Sequence, residues 1–290
     1  MHTFSRSWSL AVSSWSVLRQ DKELILLPVL SASSTLVLVA PFIGIAALTF
    51  RTTSSGGEQS SSMGIGGYVA LFVAYLLSAY VTIFFQSALV LAANERMTGG
   101  SPTLGSALRG AWANAGRILP WALVTATVSI VLQLIQERAG ILGRIVAGLA
   151  GMAWALVTLL VLPILVIEQV GVKEAFTRSA GAFKRTWGEN VIGNGGIGLV
   201  SLLAMVAGVI VTAPVIYLGA ASDTIAVTVL GVTLLLVWIV VVSVVSAALS
   251  GVFRTALYRF AMQGEDSPGF THDQIVHAFR PKKRLRRAAS

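Results

Sequence analysis

Histidine and the acidic residues are the side chains that would carry metal or acid–base chemistry, and this sequence places them poorly for both. The three histidines, His2, His272 and His277, all lie outside the apolar segments. His272 and His277 are five residues apart, which puts them on different faces of a helix. No carboxylate–histidine cluster accompanies them, so we expect no bound metal and no other cofactor.

Cysteine is absent from the chain. Its absence excludes disulfides, zinc–thiolate sites, iron–sulfur clusters and a cysteine nucleophile. Because no paired carboxylates or metal ligands replace it, no residue is assigned a catalytic role. We therefore expect that the protein is not an enzyme.

Ionisable residues inside the apolar segments would mark an ion or proton pathway. Arg144 lies one turn into the fourth segment, from which its long side chain can reach the outer interface. Glu168 lies at the inner end of the same segment. No Asp–His or Arg–Glu pair is placed for a proton relay, which argues against an ion-coupled pump.

Uncharged polar residues are the remaining candidates for a cavity. Gln86, Gln133 and Asn194 could line one, and the glycines after Asn194 could interrupt a helix and expose its carbonyl groups. Close packing of helices through small residues explains the same pattern, and we favour that alternative.

Six apolar segments must position these residues. The chain is 55% apolar and only 11% charged, against about 25% charged in a soluble domain. A hydrocarbon core of about 30 Å needs about 20 helical residues. The predicted fold is all-α, with a membrane domain over residues 24–262 whose transmembrane helices form three hairpins. The predicted spans are residues 24–50, 67–93, 118–136, 141–167, 191–218 and 225–253.

The basic residues predict the orientation of these spans. Of the 21 Lys and Arg residues, only Arg51, Arg138 and Arg144 fall on one side of the alternating connections. Basic residues mark the cytoplasmic side of a membrane protein. We therefore expect a multi-pass protein of the cell membrane, the inner membrane in a bacterium, with both termini in the cytoplasm.

The inner connections carry aromatic residues at helical spacing. Phe4, Trp8 and Trp15 form a stripe in residues 1–23, which predicts an amphipathic helix lying in the membrane interface. The connections at residues 104–119 and 172–189 carry Trp112 and Trp187. These aromatic side chains are predicted to contact lipid.

The net charge of +9 is concentrated in part in the tail, residues 263–290. Each base near an anionic leaflet contributes about 1 kcal/mol of attraction. We expect the tail to contact anionic lipids of the inner leaflet and not nucleic acid, because stacking aromatics and a folded reading domain are missing. The tail bases assigned to lipid contact are Lys282, Lys283, Arg284, Arg286 and Arg287.

Several stretches repeat along the chain. Residues 4–7 (FSRS) match residues 176–179 (FTRS), and residues 87–89 (SAL) match residues 255–257 (TAL). The pattern predicts a unit of one interfacial helix plus two spans, used three times. The alternative is that the bilayer alone imposes similar linkers. Rows of small residues every fourth position predict close helix packing, within one chain or in a homo-oligomer or with a membrane-protein partner.

The chain also resembles an uncharacterised family of bacterial six-span inner-membrane proteins, a domain of unknown function. More remotely, it is similar to the membrane domains that precede some glycerophosphodiester phosphodiesterases. The resemblance implies a six-helix membrane fold and assigns no catalytic residue. It is carried by Trp15 and residues 21–28, by Glu168, Gly171 and residues 175–179, and by residues 258–261, Gly264, 268–270 and 277–279.

Two function classes follow. The first is a non-enzymatic scaffold or lipid-interacting membrane protein, which the interfacial helices and basic tail favour. The second is a transporter or channel for a small or amphiphilic solute, which the repeats and the glycine-rich fifth segment favour. A membrane enzyme ranks third.

Overall fold

The computed structural model describes residues 23–264, apart from residues 56–57, 139, 187–195 and 223. The predicted N-terminal interfacial helix and the basic tail lie outside the described residues. Below, the side of the membrane predicted to be cytoplasmic is called the inner side.

Long apolar helices dominate the described part of the chain, and six of them are long and apolar enough to cross a membrane. The predicted all-α, multi-pass membrane fold is therefore confirmed. The helices are α1 (Glu23–Leu48), α2 (Ile65–Met97), α3 (Leu104–Ala113), α4 (Ala115–Arg138), α5 (Gly140–Val157), α6 (Val161–Ile167), α7 (Val172–Thr186), α8 (Gly196–Ala221) and α9 (Ile225–Tyr258). A π-helical turn, Arg259–Gln263, continues α9.

The first outer connection is rich in Ser and Thr. It forms an antiparallel hairpin of β1 (Phe50–Ser55) and β2 (Glu58–Met63), with Phe50 paired to Met63. Threonine favours extended backbone, and α1 and α2 deliver the two strands side by side. The hairpin is short, and the fold remains helical.

The fourth span is broken, whereas the sequence predicted one helix over residues 141–167. Helix α5 ends at Val157 and α6 begins at Val161. Pro163 lacks an amide hydrogen and cannot bond the carbonyl of Leu159. The backbone tightens instead, so that the amide of Val161 donates to the Thr158 carbonyl at 3.1 Å. Every residue from Leu160 to Val166 is buried.

Helices α2 and α9 extend past the thickness of a bilayer on the inner side. The 33 residues of α2 span about 50 Å at 1.5 Å per residue, against a core of about 30 Å. On α9, the exposed large apolar side chains end at Val241, and the protein buries most residues from Ala248 to Arg259. Ser87 of α2 and Thr255 of α9, the matched positions of the SAL/TAL repeat, are both fully buried.

A residue with positive φ closes the inner end of each even-numbered span. These residues are Gly99 after α2 (φ 87°), Gln169 after α6 (φ 56°) and Gly264 after the π-helical turn (φ 70°). A left-handed residue ends a helix and redirects the chain. The same closure in each hairpin supports the predicted three-fold repeat.

The chain forms two compact units. Among the described residues, the first comprises residues 23–25, 93–100 and 181–264, and the second comprises residues 26–92 and 101–180. Within the first unit, α8 and α9 pack closely. The indole Nε1 of Trp238 donates to the Ala204 carbonyl at 2.9 Å, and its ring lies over Gly208. The second unit contains the β hairpin, α3, α4, α5 and α6.

Candidate membrane-interface site

Helix α3 is the inner connection between the second and third spans. Residues 101–103 (SPT) precede the helix. Pro102 disfavours its continuation toward the N-terminus, and Thr103 is a good N-cap. The Thr103 hydroxyl accepts from the Ser106 amide at 3.1 Å, and the Ser106 hydroxyl accepts from the Thr103 amide at 3.0 Å. This reciprocal capping box fixes where α3 begins.

The two faces of α3 have opposite environments. Ala107, Ala111 and the following Asn114 are buried at helical spacing. Gly110 lies against α2 so closely that a Cβ there would be 3.0 Å from Leu91 Cδ1. The small residues therefore face the protein, and the opposite face is left to solvent or lipid.

Trp112 lies on that opposite face and is 74% exposed. Its ring meets the Phe84 ring edge to face, with centroids 6.1 Å apart. Phe84 is nineteen residues after Ile65, the first residue of α2, which places it about 28 Å along the helix. That length is comparable to the thickness of a hydrocarbon core, so Trp112 lies near the predicted inner end of the second span.

A single residue, Asn114, separates α3 from α4. It is 3% exposed, and its side-chain amide donates to the Gly110 carbonyl at 3.0 Å. Its side-chain oxygen accepts from Arg117 Nη1 at 3.2 Å. Its carbonyl accepts from the amides of Arg117 and Ile118, both at 2.9 Å. Asn114 thus fixes the corner between α3 and α4.

Helix α7, the next inner connection, repeats the burial pattern of α3. Ala175, Ser179 and Ala182 are buried with the same four-plus-three spacing as Ala107, Ala111 and Asn114. Phe176 packs inward on Trp154, with ring centroids 5.9 Å apart. Trp154 in turn stacks on Trp121 at 6.2 Å. Phe176 therefore lies in a cluster of aromatic side chains within the protein.

The outward face of α7 is charged. Arg178 forms ion pairs with Glu168, just after α6, and with Glu174 one turn earlier. Partial desolvation opposes the charge of Arg178, but the two carboxylates prevail and raise its pKa above the ordinary value. Lys173 and Thr177 are also exposed here. In its described residues, α7 therefore presents to its surroundings a surface suited to water.

A buried arginine joins the inner ends of α2 and α9 within the first unit. Arg259 is 6% exposed, and its Nη1 is 3.5 Å from the Asn94 side-chain oxygen. Neither this pair nor the Asn114–Arg117 pair is predicted by the sequence. Both lie in stretches that look like ordinary span ends, and only the fold brings their members together.

The predicted site residues fall into three groups. Trp112 is exposed on α3 and contacts Phe84 near the predicted inner end of the second span. Gln86 is half-buried on α2, while Gln133 is exposed on α4 and donates to Glu137 at 3.0 Å. The predicted residues outside the described part of the chain are Phe4, Trp8, Trp15, Trp187, Asn194, Lys282, Lys283, Arg284, Arg286 and Arg287.

Metal ligation has no candidate in the part of the chain that the structure describes, because no three His, Cys, Asp or Glu side chains converge there. The arrangement offers instead a helix anchored by small residues, an exposed tryptophan near the predicted inner end of a span, and arginines beside it. These groups can bind lipid headgroups and acyl chains.

Comparison with known proteins identifies a family. A family model described as a family of unknown function (DUF6159) matches residues 65–269, more than two thirds of the chain. No curated protein matches the chain. No solved structure matches it.

Proposed function

The chain belongs to this family of unknown function, and we propose that it is a non-enzymatic membrane protein whose inner face binds membrane lipid. The proposal that both termini are cytoplasmic, and that the membrane is the cell or bacterial inner membrane, rests on the distribution of Lys and Arg. The absence of enzymatic activity stays a prediction from the sequence.

The exposed Trp112 is the observation that carries the proposal. Tryptophan is enriched at membrane interfaces, where its ring meets acyl chains and its N–H meets headgroups. Trp112 is 74% exposed yet held in place by Phe84. Arg109, one turn away on α3, is also exposed and can reach the headgroups.

Helix α7 provides an internal contrast. It has the same buried spacing as α3, but its described outward face carries Lys173, Glu174 and Arg178. The two connections therefore differ in what they present, and lipid contact is assigned to α3. We propose that α7 braces the fourth span instead.

Depth-dependent fluorescence quenching tests the proposal. The protein is reconstituted into vesicles with brominated phospholipid, and the spectrum of a Trp112→Phe variant is subtracted from that of the wild type, because the chain has seven tryptophans. Trp121→Phe is the matched control, since Trp121 is 4% exposed. We expect the Trp112 component to be quenched by bromine near the glycerol backbone. Quenching by aqueous iodide alone would refute lipid contact.

The broken fourth span favours a second candidate, a transporter for a small or amphiphilic solute. Discontinuous helices expose backbone carbonyls that bind substrates or ions in many transporters. Here the break follows Val157, and the segment after it is buried. Protein-dependent solute entry into reconstituted vesicles, altered by Pro163→Ala, would support this candidate over the first.

A further inference from the structure

The corner between α3 and α4 holds an arginine in a fixed position. Arg117 is half-buried, and its Nη1 donates to the side-chain oxygen of Asn114 at 3.2 Å. Asn114 is itself held by the Gly110 carbonyl. The guanidinium is thus oriented before any ligand arrives, which lowers the entropy lost on binding.

The charge of Arg117 is not neutralised by this contact. An amide oxygen accepts a hydrogen bond but carries no formal charge, and a guanidinium has five N–H donors in a planar fork. Within the described ranges Arg117 forms no ion pair. The sequence has no Asp or Glu between Glu95 and Glu137. The arginines of α3 and of the first turn of α4 therefore have no acidic residue near them in sequence.

The corner is open on the exposed face of α3. Arg109 and Trp112 share the exposed face of α3. A Cβ built on Gly116 would have no atom within 4 Å, so the first turn of α4 leaves room beside Arg117. The contact of Trp112 with Phe84 places this opening near the predicted inner end of the second span, where lipid headgroups are expected.

We propose that the α3–α4 corner is a binding site for the phosphate group of an anionic phospholipid. Arg117 contacts the phosphate oxygens, Arg109 adds a second positive charge, and Trp112 packs on the glycerol and upper acyl region. Asn114 acts as a positioning residue that aims Arg117. This site rests on the proposed function and names its ligand. Arginine suits phosphate because its fork matches two phosphate oxygens.

Native mass spectrometry of the full chain in detergent tests the site. Phosphatidylglycerol and phosphatidylcholine are added in turn, and the fraction of protein that retains lipid is measured. We expect the wild type to retain phosphatidylglycerol preferentially. Losing one headgroup contact in Arg117→Gln should weaken that retention about fivefold, and Asn114→Ala should weaken it by less.

Arg109→Gln is the second variant, because Arg109 is exposed and its loss does not disturb the corner. Lys173→Gln removes an equally exposed base from α7 and is the matched control. Weaker retention in Arg109→Gln and Arg117→Gln, with Lys173→Gln unchanged, would support the site. Unchanged retention in both arginine variants would overturn it.

Inorganic phosphate separates the two sources of a phosphate group. Displacement of phosphatidylglycerol by an equal concentration of phosphate would overturn the assignment to a lipid, since a soluble phosphate would then be the ligand. Equal retention of both lipids by the wild type would also overturn the site. If the wild type retained both lipids equally but bromolipid still quenched Trp112, the proposed function would stand without the phosphate site.

Discussion

The Ser179 hydroxyl of α7 donates a hydrogen bond to the backbone carbonyl of Val157, the last residue of α5, at 2.5 Å. In an unbroken helix that carbonyl would accept from the amide of Val161. Here the amide of Val161 donates to the Thr158 carbonyl instead. The Ser179 hydroxyl is therefore the donor to the Val157 carbonyl. The contact ties α7 to the break in the fourth span.

Ser179→Ala should destabilise the second unit. Ser179 is 1% exposed, so its loss leaves the part-buried Val157 carbonyl without this donor, at a cost of about 1 kcal/mol. Thermal unfolding in detergent measures the effect. Thr177→Ala is the control, because Thr177 is exposed and bonds only the Lys173 carbonyl of its own helix. Equal shifts for both variants would contradict the bracing role of Ser179.

Arg178→Gln, next to Ser179, should have the smaller effect. Its ion pairs with Glu168 and Glu174 are partly exposed, and exposed pairs contribute little to stability. Because the two carboxylates raise the pKa of Arg178, its charge stays present up to strongly alkaline pH and is lost only above that raised pKa. The unfolding midpoint of the wild type should therefore depend on salt more than that of Arg178→Gln. Identical salt dependence would mean that the pairs contribute nothing.

Gly219→Ala should disrupt the packing of α8 on α9. A Cβ at position 219 would lie 2.4 Å from the Thr228 backbone nitrogen, and a backbone atom cannot rotate away. Such overpacking costs about 1–3 kcal/mol. Gly148→Ala on α5 is the control, because nothing lies within 4 Å of its Cβ position. The control should be neutral or slightly stabilising, since Ala favours helix. A stable Gly219→Ala protein would contradict the close approach.

Gln169→Gly should stabilise the protein. Gln169 adopts φ 56° between α6 and α7, a conformation that costs a non-glycine residue about 1–2 kcal/mol. Gly99→Ala is the converse variant. Gly99 has φ 87° and open space around it, so the substitution should destabilise the protein through backbone strain alone. The two unfolding midpoints should move in opposite directions. Movement in the same direction would argue against left-handed closure at both span ends.

The sequence predicts the helical spans well because lipid imposes a length and a composition that a residue count detects. Six helices long and apolar enough to cross a membrane lie in the described part of the chain, although the fourth predicted segment is divided between α5 and α6. The break at Pro163 was missed because the surrounding residues are as apolar as an intact span. The β hairpin was missed because Ser and Thr are as common in loops as in strands.

The candidate site was only partly predictable. Trp112 is a detectable signal, since an aromatic residue on a short inner connection is typical of an interface helix. Phe176 carried the same signal and lies instead against Trp154, because tertiary packing decides which face of α7 turns inward. The Asn114–Arg117 pair carries no pattern in the sequence, since the geometry of the corner creates it.

The assignment of α3 to the inner face is the claim on which the lipid account depends, and single-cysteine labelling tests it most directly. The chain contains no cysteine, so one can be introduced at Ser60 in β2 or at Ser101 before α3. A membrane-impermeant maleimide is applied to intact cells and then to permeabilised cells. We predict that Ser60→Cys reacts in intact cells and that Ser101→Cys reacts only after permeabilisation. Labelling of Ser101→Cys in intact cells would place α3 outside and contradict the account.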